Sequence, residues 1–207
     1  MRTKSANKYL ALGDSYTIAE GIPSIESYPA QATALLNECG MSFDFPDIIA
    51  KTGWTTADLL RGMDGYLFQQ KYDIVSLLIG VNNQYQGRSE LEYEAEFSKL
   101  LKRAIELAQG ISQRVIVLSI PDYSATPFVQ HINKRLILKK INRFNLINRK
   151  VSLAGRANYL NITGESRKSA TDLTLLANDL LHYSGKEYAI WADLLAKKIR
   201  DLLRGDS

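Results

Sequence analysis

One serine, one aspartate and one histidine in this sequence have the side chains that nucleophilic catalysis needs. Ser15 follows Gly13 and Asp14, and Asp179 lies three residues before His182 near the other end of the chain. A serine hydroxyl becomes an effective nucleophile when a neighbouring base takes its proton, and an imidazole titrates in the right range to do so. Asp179 would accept the other imidazole N–H and fix the tautomer. These residue types predict acyl transfer at Ser15, with His182 as the base.

Acyl transfer also needs hydrogen-bond donors for the oxyanion of the tetrahedral intermediate. Three candidates follow predicted strands: the N–H of Ser15, the N–H of Gly53 and the side-chain amide of Asn82. A glycine exposes its backbone, and an asparagine amide carries two donors. We therefore expect an oxyanion hole made by Ser15, Gly53 and Asn82.

Each of these residues also has a purely structural interpretation. Ser15 could instead be a turn residue or helix N-cap, or part of a phosphate loop, although the charge of Asp14 is wrong for a phosphate. His182 would serve as a packed histidine, and Gly53 and Asn82 as turn formers. The other histidine, His131, has no acidic neighbour in sequence and is interpreted as a surface or helix-start residue.

Strands and helices alternate along the chain, so the elements that must position these residues can be predicted. Buried strands are predicted at residues 9–12, 47–50, 72–79, 114–120 and 159–162, and helices at 28–39, 55–61, 89–110, 133–157 and 184–203. Capping boxes at Ser89/Glu92 and Ser184/Glu187 are expected to begin two of the helices. The alternation predicts an α/β protein, a three-layer α/β/α sandwich of flavodoxin-like type with a five-stranded parallel sheet. Residues 1–207 are expected to form one domain, with the site at the carboxyl ends of the strands.

Four sequence blocks, taken in order, resemble those of the GDSL, or SGNH, esterase-lipase superfamily. They are GDSY at 13–16, the glycine at 53, GVNN at 80–83 and DLLH at 179–182. The resemblance implies the SGNH hydrolase fold and a serine hydrolase that cleaves carboxylic esters through an acyl-enzyme. It also implies that Ser15 is the nucleophile, Gly53 and Asn82 are oxyanion donors, His182 is the base and Asp179 completes the triad.

The sequence departs from the superfamily pattern at two positions. Asn83 stands where the third block usually has an aspartate, which puts the hydrogen bonding of that loop in doubt. Tyr16 replaces the leucine after the nucleophile, and we expect this change to affect packing more than chemistry.

The substrate is less constrained than the reaction. The superfamily includes lysophospholipases, thioesterases, arylesterases and carbohydrate deacetylases. Loop 121–128, with Tyr85 and Trp54, would form an apolar wall for an acyl group, or these aromatic residues would simply pack the loops. We expect a small-molecule acyl ester as substrate. Sugar O-deacetylation and thioester cleavage are alternatives, as is a catalytically silent module that binds lipid or a polyanion.

A metal is not expected, because the chain has no Cys/His cluster with ligand spacing. The predicted acyl transfer requires no cofactor. Its only cysteine, Cys39, permits no intrachain disulfide. The longest apolar runs are too short for a membrane span, and residues 9–12 are too short for the core of a signal peptide, so we expect a cytoplasmic protein.

Positive charge is concentrated in one segment of the 207-residue chain, which has a net charge of +4. Segment 134–156 carries eight basic residues and no acidic one. We expect a solvated helix face there, while contact with anionic lipid or an acidic substrate remains open. Nucleic acid binding is not expected, because no recognised binding motif accompanies the charge. The sequence leaves the oligomeric state open.

Overall fold

A single five-stranded sheet organises the protein. The computed structural model describes residues 5–68, 71–129 and 133–205, so His131 lies outside the described residues. The strands are β1 (Tyr9–Gly13), β2 (Asp47–Ala50), β3 (Ile74–Leu78), β4 (Val115–Leu118) and β5 (Asn158–Leu160). All pairs are parallel and the spatial order is β2-β1-β3-β4-β5. This arrangement confirms the predicted fold class.

The three central strands lie in the core. Every residue of β1, β3 and β4 is buried, whereas β5 at one edge is half-exposed. A near-continuous apolar run of this kind is typical of a parallel strand covered on both faces. Gly13 pairs with both Ala50 and Leu78, so the carboxyl ends of β1, β2 and β3 meet at one edge.

Helices flank the sheet in two groups. The helices are α1 (Ser15–Ile18), α2 (Tyr28–Glu38), α3 (Thr56–Asp64), α4 (Val81–Tyr85), α5 (Glu90–Leu107), α6 (Lys134–Ala154), α7 (Thr163–Ser166) and α8 (Gly185–Gly205). Helix α2 packs on α8, while α5 packs on α3 and α6. Within the described ranges, no helix has the length and apolar character needed to cross a bilayer.

The last strand ends earlier than the sequence pattern predicts. The predicted strand 159–162 is found at Asn158–Leu160, because the Ser119 hydroxyl accepts hydrogen bonds from the N–H groups of Ile162 and Thr163 at 2.9 and 3.0 Å. These bonds turn the chain into α7. The Ser119 hydroxyl therefore binds the backbone N–H groups that a longer β5 would use for pairing within the sheet.

The capping predictions had mixed outcomes. Ser89 accepts a hydrogen bond from the Glu92 N–H at 3.1 Å, which is one half of the box predicted for the start of α5, while the Glu92 carboxylate accepts from the Arg88 side chain. The box at Ser184 was wrong, because its hydroxyl donates to the Thr174 carbonyl and Glu187 turns inward to accept from the Trp191 indole. At Ser184, therefore, a contact with another segment and an i,i+4 contact within α8 replace the predicted box.

Candidate active site

Ser15 is the first residue of α1, directly after β1. The preceding residue, Asp14, is the N-cap, and its carboxylate accepts a hydrogen bond from the Tyr16 N–H at 3.1 Å. Gly13 allows this tight junction, because a Cβ there would stand 2.6 Å from the Leu78 carbonyl oxygen. Only 4% of Ser15 is exposed. Its N–H lies in the first helical turn, where backbone donors have no acceptor within the helix.

Asp14 itself is fully buried beside Ser15. One of its carboxylate oxygens accepts from the Tyr16 N–H, and the other has no hydrogen-bond partner within the described parts of the chain. Burial disfavours the charged form of a carboxyl group, and here it raises the pKa of Asp14 to about 7. The group beside Ser15 therefore gains and loses its charge near neutral pH.

His182 and Asp179 face each other across a tight turn. Nδ1 of His182 lies 2.5 Å from Oδ2 of Asp179, and Oδ1 of Asp179 accepts from the N–H groups of Leu181 and His182 at 3.0 and 2.9 Å. Leu180 takes a left-handed conformation, φ 57°, which allows the turn to close. Burial opposes the charge on Asp179, but the hydrogen bonds from His182 and Leu181 hold the pKa of Asp179 below its usual range. Asp179 therefore stays ionised against the imidazole.

Ser15, His182 and Asn82 line one cavity of about 150 Å³ at the carboxyl edge of the sheet. Tyr16 closes one side, and its ring centroid lies 5.3 Å from that of His182, so the tyrosine after Ser15 does affect packing as predicted. A larger cavity of about 700 Å³ lies between α6 and β5, and none of the predicted catalytic residues lines it. Chemistry rather than size therefore identifies the smaller cavity as the candidate site.

Asn82 lies in α4, immediately after β3. Its side-chain nitrogen donates a hydrogen bond to the Trp54 carbonyl at 3.0 Å. An asparagine amide carries two N–H donors, so one remains for a bound group. The bond also fixes the side chain against the turn between β2 and α3.

Gly53 lies in that turn and does not line the cavity. Its φ of +79° favours glycine, although a Cβ there would meet nothing within 4 Å. Hydrogen bonds fix the turn on both sides of Gly53. The Thr52 hydroxyl donates to the Glu20 carboxylate, which follows α1, and the Trp54 carbonyl accepts from the Asn82 side chain. These ties hold the Gly53 turn between the elements that carry Ser15 and Asn82.

Asn83, the departure from the family pattern, completes a buried hydrogen-bond chain. Its side-chain oxygen accepts from the Thr56 N–H at 3.0 Å, and its nitrogen donates to the Thr56 hydroxyl at 2.6 Å. That hydroxyl in turn donates to the Glu96 carboxylate. With Glu96 taking the hydroxyl proton, Thr56 needs a donor at position 83, which asparagine has and an ionised aspartate lacks.

Three aromatic residues form the apolar wall of the cavity. Tyr85, Tyr123 and Phe128 line it, as the sequence predicted for Tyr85 and loop 121–128. Tyr85 is 57% exposed and Phe128 44%, so both rings face the cavity mouth. For Trp54 the packing alternative is found, because its indole lies against Gly62 of α3 and the residue does not line the cavity.

Sequence reasoning missed two apolar residues of the site, Val81 and Leu181. Both line the cavity, and each is the immediate sequence neighbour of a predicted polar residue, Asn82 and His182 respectively. Their position next to Asn82 and His182 in the sequence could have indicated them, because residues adjacent to a site residue in a short turn often line the same cavity.

Comparison with known proteins places the chain in a family. A family model described as the GDSL-like Lipase/Acylhydrolase family matches residues 11–190, which is most of the chain. No protein of curated function matches the sequence.

Solved structures share the fold at low sequence identity. A lipase/acylhydrolase from Enterococcus faecalis has TM-score 0.72 at 20% identity, with 94% of this chain and 96% of that chain covered. The esterase EstA from Pseudoalteromonas sp. has TM-score 0.73 at 18% identity, covering 96% and 99%. Axe2, an acetylxylan esterase from Geobacillus stearothermophilus, has TM-score 0.69 at 20% identity, covering 96% of each chain. By the match over residues 11–190, this chain belongs to the GDSL-like Lipase/Acylhydrolase family and is an ester-hydrolysing enzyme.

Proposed function

We propose that this enzyme cleaves carboxylic esters through a Ser15–His182–Asp179 triad and an acyl-enzyme intermediate. One observation carries the proposal: Nδ1 of His182 lies 2.5 Å from the Asp179 carboxylate, while His182 and Ser15 line the same cavity. An ionised carboxylate on Nδ1 fixes the tautomer whose Nε2 can accept a proton. The imidazole is thereby prepared to act as a base toward a hydroxyl in that cavity.

In the first half of the reaction, the Ser15 hydroxyl oxygen attacks the acyl carbonyl carbon and its proton passes to Nε2 of His182. The carbonyl oxygen becomes an oxyanion that accepts hydrogen bonds from the N–H of Ser15, the N–H of Gly53 and the free amide hydrogen of Asn82. Asp179 stabilises the imidazolium through Nδ1. The intermediate then collapses, and the leaving alcohol takes the proton from His182.

In the second half, a water molecule attacks the acyl-enzyme while His182 accepts one of its protons. The oxyanion forms again at the same donors, and its collapse releases the carboxylic acid. Ser15 recovers its proton from His182, so the enzyme returns to its starting state. Water is the co-reactant of this scheme, which uses no cofactor.

The wall of the cavity supports a short acyl or an aryl ester as substrate. Tyr85, Tyr123 and Phe128 offer apolar surface next to Ser15 in a space of about 150 Å³. A sugar acetate is the second candidate, because an acetyl group fits the same space and the half-exposed rings of Tyr85 and Phe128 would face the sugar outside it. An optimum at the acetyl ester favours the sugar acetate, and an optimum at the butanoyl ester favours the short acyl ester.

The test is a set of initial rates on 4-nitrophenyl esters with acyl chains of two, four, eight and twelve carbons. We expect Ser15→Ala and His182→Ala each to lower turnover by at least ~10³-fold, as loss of a triad member does elsewhere. Ser98→Ala, which removes an exposed hydroxyl of α5, is the matched control and should match the wild type. Equal rates in Ser15→Ala and wild type would overturn the mechanism, and a loss below tenfold in His182→Ala would overturn the base assignment.

A further inference from the structure

A second cavity adjoins the catalytic one. It has a volume of about 200 Å³, and Tyr85 and Tyr123 are the two described residues that line both cavities, so their rings separate the two spaces. Beyond the tyrosines, Leu136 and Ile137 of α6 give the second cavity apolar surface. The catalytic cavity, about 150 Å³ in volume, therefore ends against aromatic rings that have further apolar space behind them.

The two tyrosines differ in how deeply the fold buries them. Tyr123 is 4% exposed and belongs to the hydrophobic core, whereas Tyr85 is 57% exposed. The ring centroid of Tyr85 lies 6.1 Å from that of Tyr123 and 6.4 Å from that of Phe128. Truncation of Tyr85 would therefore open the partition without removing a core residue.

The position of Tyr85 in α4 places it beside the acyl group of a bound ester. Asn82 and Tyr85 are three residues apart in that helix, a spacing that puts two side chains on the same face, and both line the catalytic cavity. In the proposed mechanism, the Asn82 amide binds the carbonyl oxygen, and His182 gives its proton to the leaving alcohol. Because the alcohol must then lie next to His182, the aromatic wall at Tyr85 is left for the acyl chain.

The size of the catalytic cavity restricts the length of that chain. An apolar cavity of about 150 Å³ holds a molecule of the size of benzene, which has six carbon atoms. A butanoyl chain fits such a space, whereas an octanoyl chain needs more room. The nearest additional room is the second cavity, on the other side of the tyrosine rings.

We infer that Tyr85 sets the upper limit on acyl length by closing the catalytic cavity against the second one. With the ring in place, the chain ends at the aromatic wall; without it, the chain continues along Tyr123 to Leu136 and Ile137. The inference rests on the proposed function, because it concerns the acyl group of the same ester. It identifies the residue that restricts the substrates to short acyl esters.

The kinetic test compares 4-nitrophenyl octanoate with 4-nitrophenyl butanoate. Burial of one methylene contributes roughly fourfold in affinity, so four further methylenes that become partly buried in Tyr85→Ala should raise the octanoate-to-butanoate ratio of kcat/KM about tenfold. Tyr85→Leu, which keeps an apolar side chain on α4, should raise the ratio about threefold. Phe128→Ala is the matched control, because it removes a half-exposed ring that lines the catalytic cavity alone, and its ratio should stay within about twofold of wild type.

Two further comparisons locate the acyl chain. Leu136→Trp adds a large ring at the second cavity, so Tyr85→Ala combined with Leu136→Trp should lose most of the gain on the octanoate. Hydrolysis of the butanoate reports that each variant is intact. Ethyl butanoate and hexyl butanoate differ in the alcohol instead of the acyl chain, and Tyr85→Ala should leave their ratio unchanged.

A binding measurement makes the test independent of turnover. N-methyloctanamide and N-methylbutanamide are titrated calorimetrically into Ser15→Ala, with and without Tyr85→Ala in the same chain. We expect the octanamide to bind several-fold more tightly when the tyrosine ring is absent, and the butanamide to bind equally in both proteins.

The outcomes separate the inference from the proposed function. Ser15-dependent hydrolysis of the butanoate, with an unchanged ratio in Tyr85→Ala and Tyr85→Leu, overturns the role of Tyr85 and leaves the proposed function standing. Tighter binding of the octanamide without the ring, in an enzyme that shows no Ser15-dependent hydrolysis, overturns the proposed function and leaves the role of Tyr85 in binding standing. An equal gain in Phe128→Ala, a gain confined to hexyl butanoate, or a gain that survives Leu136→Trp would place the chain elsewhere and overturn the inference.

Discussion

Replacing Asp14 by asparagine should change how the stability of the enzyme depends on pH. Burial raises the pKa of Asp14 from its ordinary 3.8 to about 7. The native state therefore holds the proton more tightly than the unfolded state does. The stabilisation from this protonation is fully present below the ordinary pKa and is lost as the pH rises through 7.

The size of the effect follows from the two pKa values. With pKa values of 3.8 and about 7, the free energy of unfolding should fall by about 2.5 kcal/mol between pH 5 and pH 8 through this group alone. Asparagine keeps the side-chain oxygen that accepts from the Tyr16 N–H, but it does not titrate. Its amide nitrogen replaces an oxygen that has no partner in the described structure, and any cost of that change is the same at every pH.

Urea denaturation of wild type and Asp14→Asn at pH 5 and pH 8 provides the assay. The difference between the two proteins in unfolding free energy should shift by about 2.5 kcal/mol in favour of Asp14→Asn from pH 5 to pH 8. Asp172→Asn is the control: hydrogen bonds from Thr174 and Lys186 hold the pKa of Asp172 at about 2, so the native carboxylate stays ionised over this range. A difference between wild type and Asp14→Asn that is constant to within about 0.5 kcal/mol would refute the reasoning.

Two further substitutions test the loops around the site. Asn83→Asp should lower the free energy of unfolding at pH 7 by about 2 kcal/mol, because the Thr56 hydroxyl then faces two acceptors. Adding Glu96→Gln to that variant should restore most of the lost stability. Urea denaturation measures both variants, and no recovery in the double variant would contradict the hydrogen-bond chain. Gly80→Ala should cost about 3 kcal/mol, because φ is +132° and a Cβ would stand 2.6 Å from the Tyr93 ring. Thermal unfolding measures that loss, and a melting temperature equal to that of wild type would exclude the clash.

The sequence allowed the sheet and the polar residues at its edge to be predicted, for a specific reason. β1, β3 and β4 are continuous apolar runs, and parallel strands bring their carboxyl ends to one edge of the sheet. Ser15 and Asn82 follow β1 and β3 directly, so their proximity depends only on strand order and direction. The cytoplasmic location and the oligomeric state do not follow from such rules, and the location stays a prediction.

Features that depend on long-range packing could not be predicted. Helix α4 is only one turn long and carries no capping side chain, so its sequence has no helix signal. Trp54 packs on α3 and not in the cavity wall, because Gly62 has no side chain and leaves room for the indole. This contact can be recognised only once the position of α3 is known.

The pairing of the first and last long helices has a consequence for when the enzyme can become active. Helices α2 and α8 pack together, and the Gln31 side chain donates to the Gly185 carbonyl at 3.0 Å, just beyond His182. The proposed nucleophile, Ser15, is near the start of the chain and its proposed base, His182, is near the end. A chain growing on the ribosome therefore carries Ser15 long before the residue that would activate it has been made. Two separately produced fragments, divided between the elements that carry Ser15 and His182, should each be inert. Ester hydrolysis would then report directly on their reassembly.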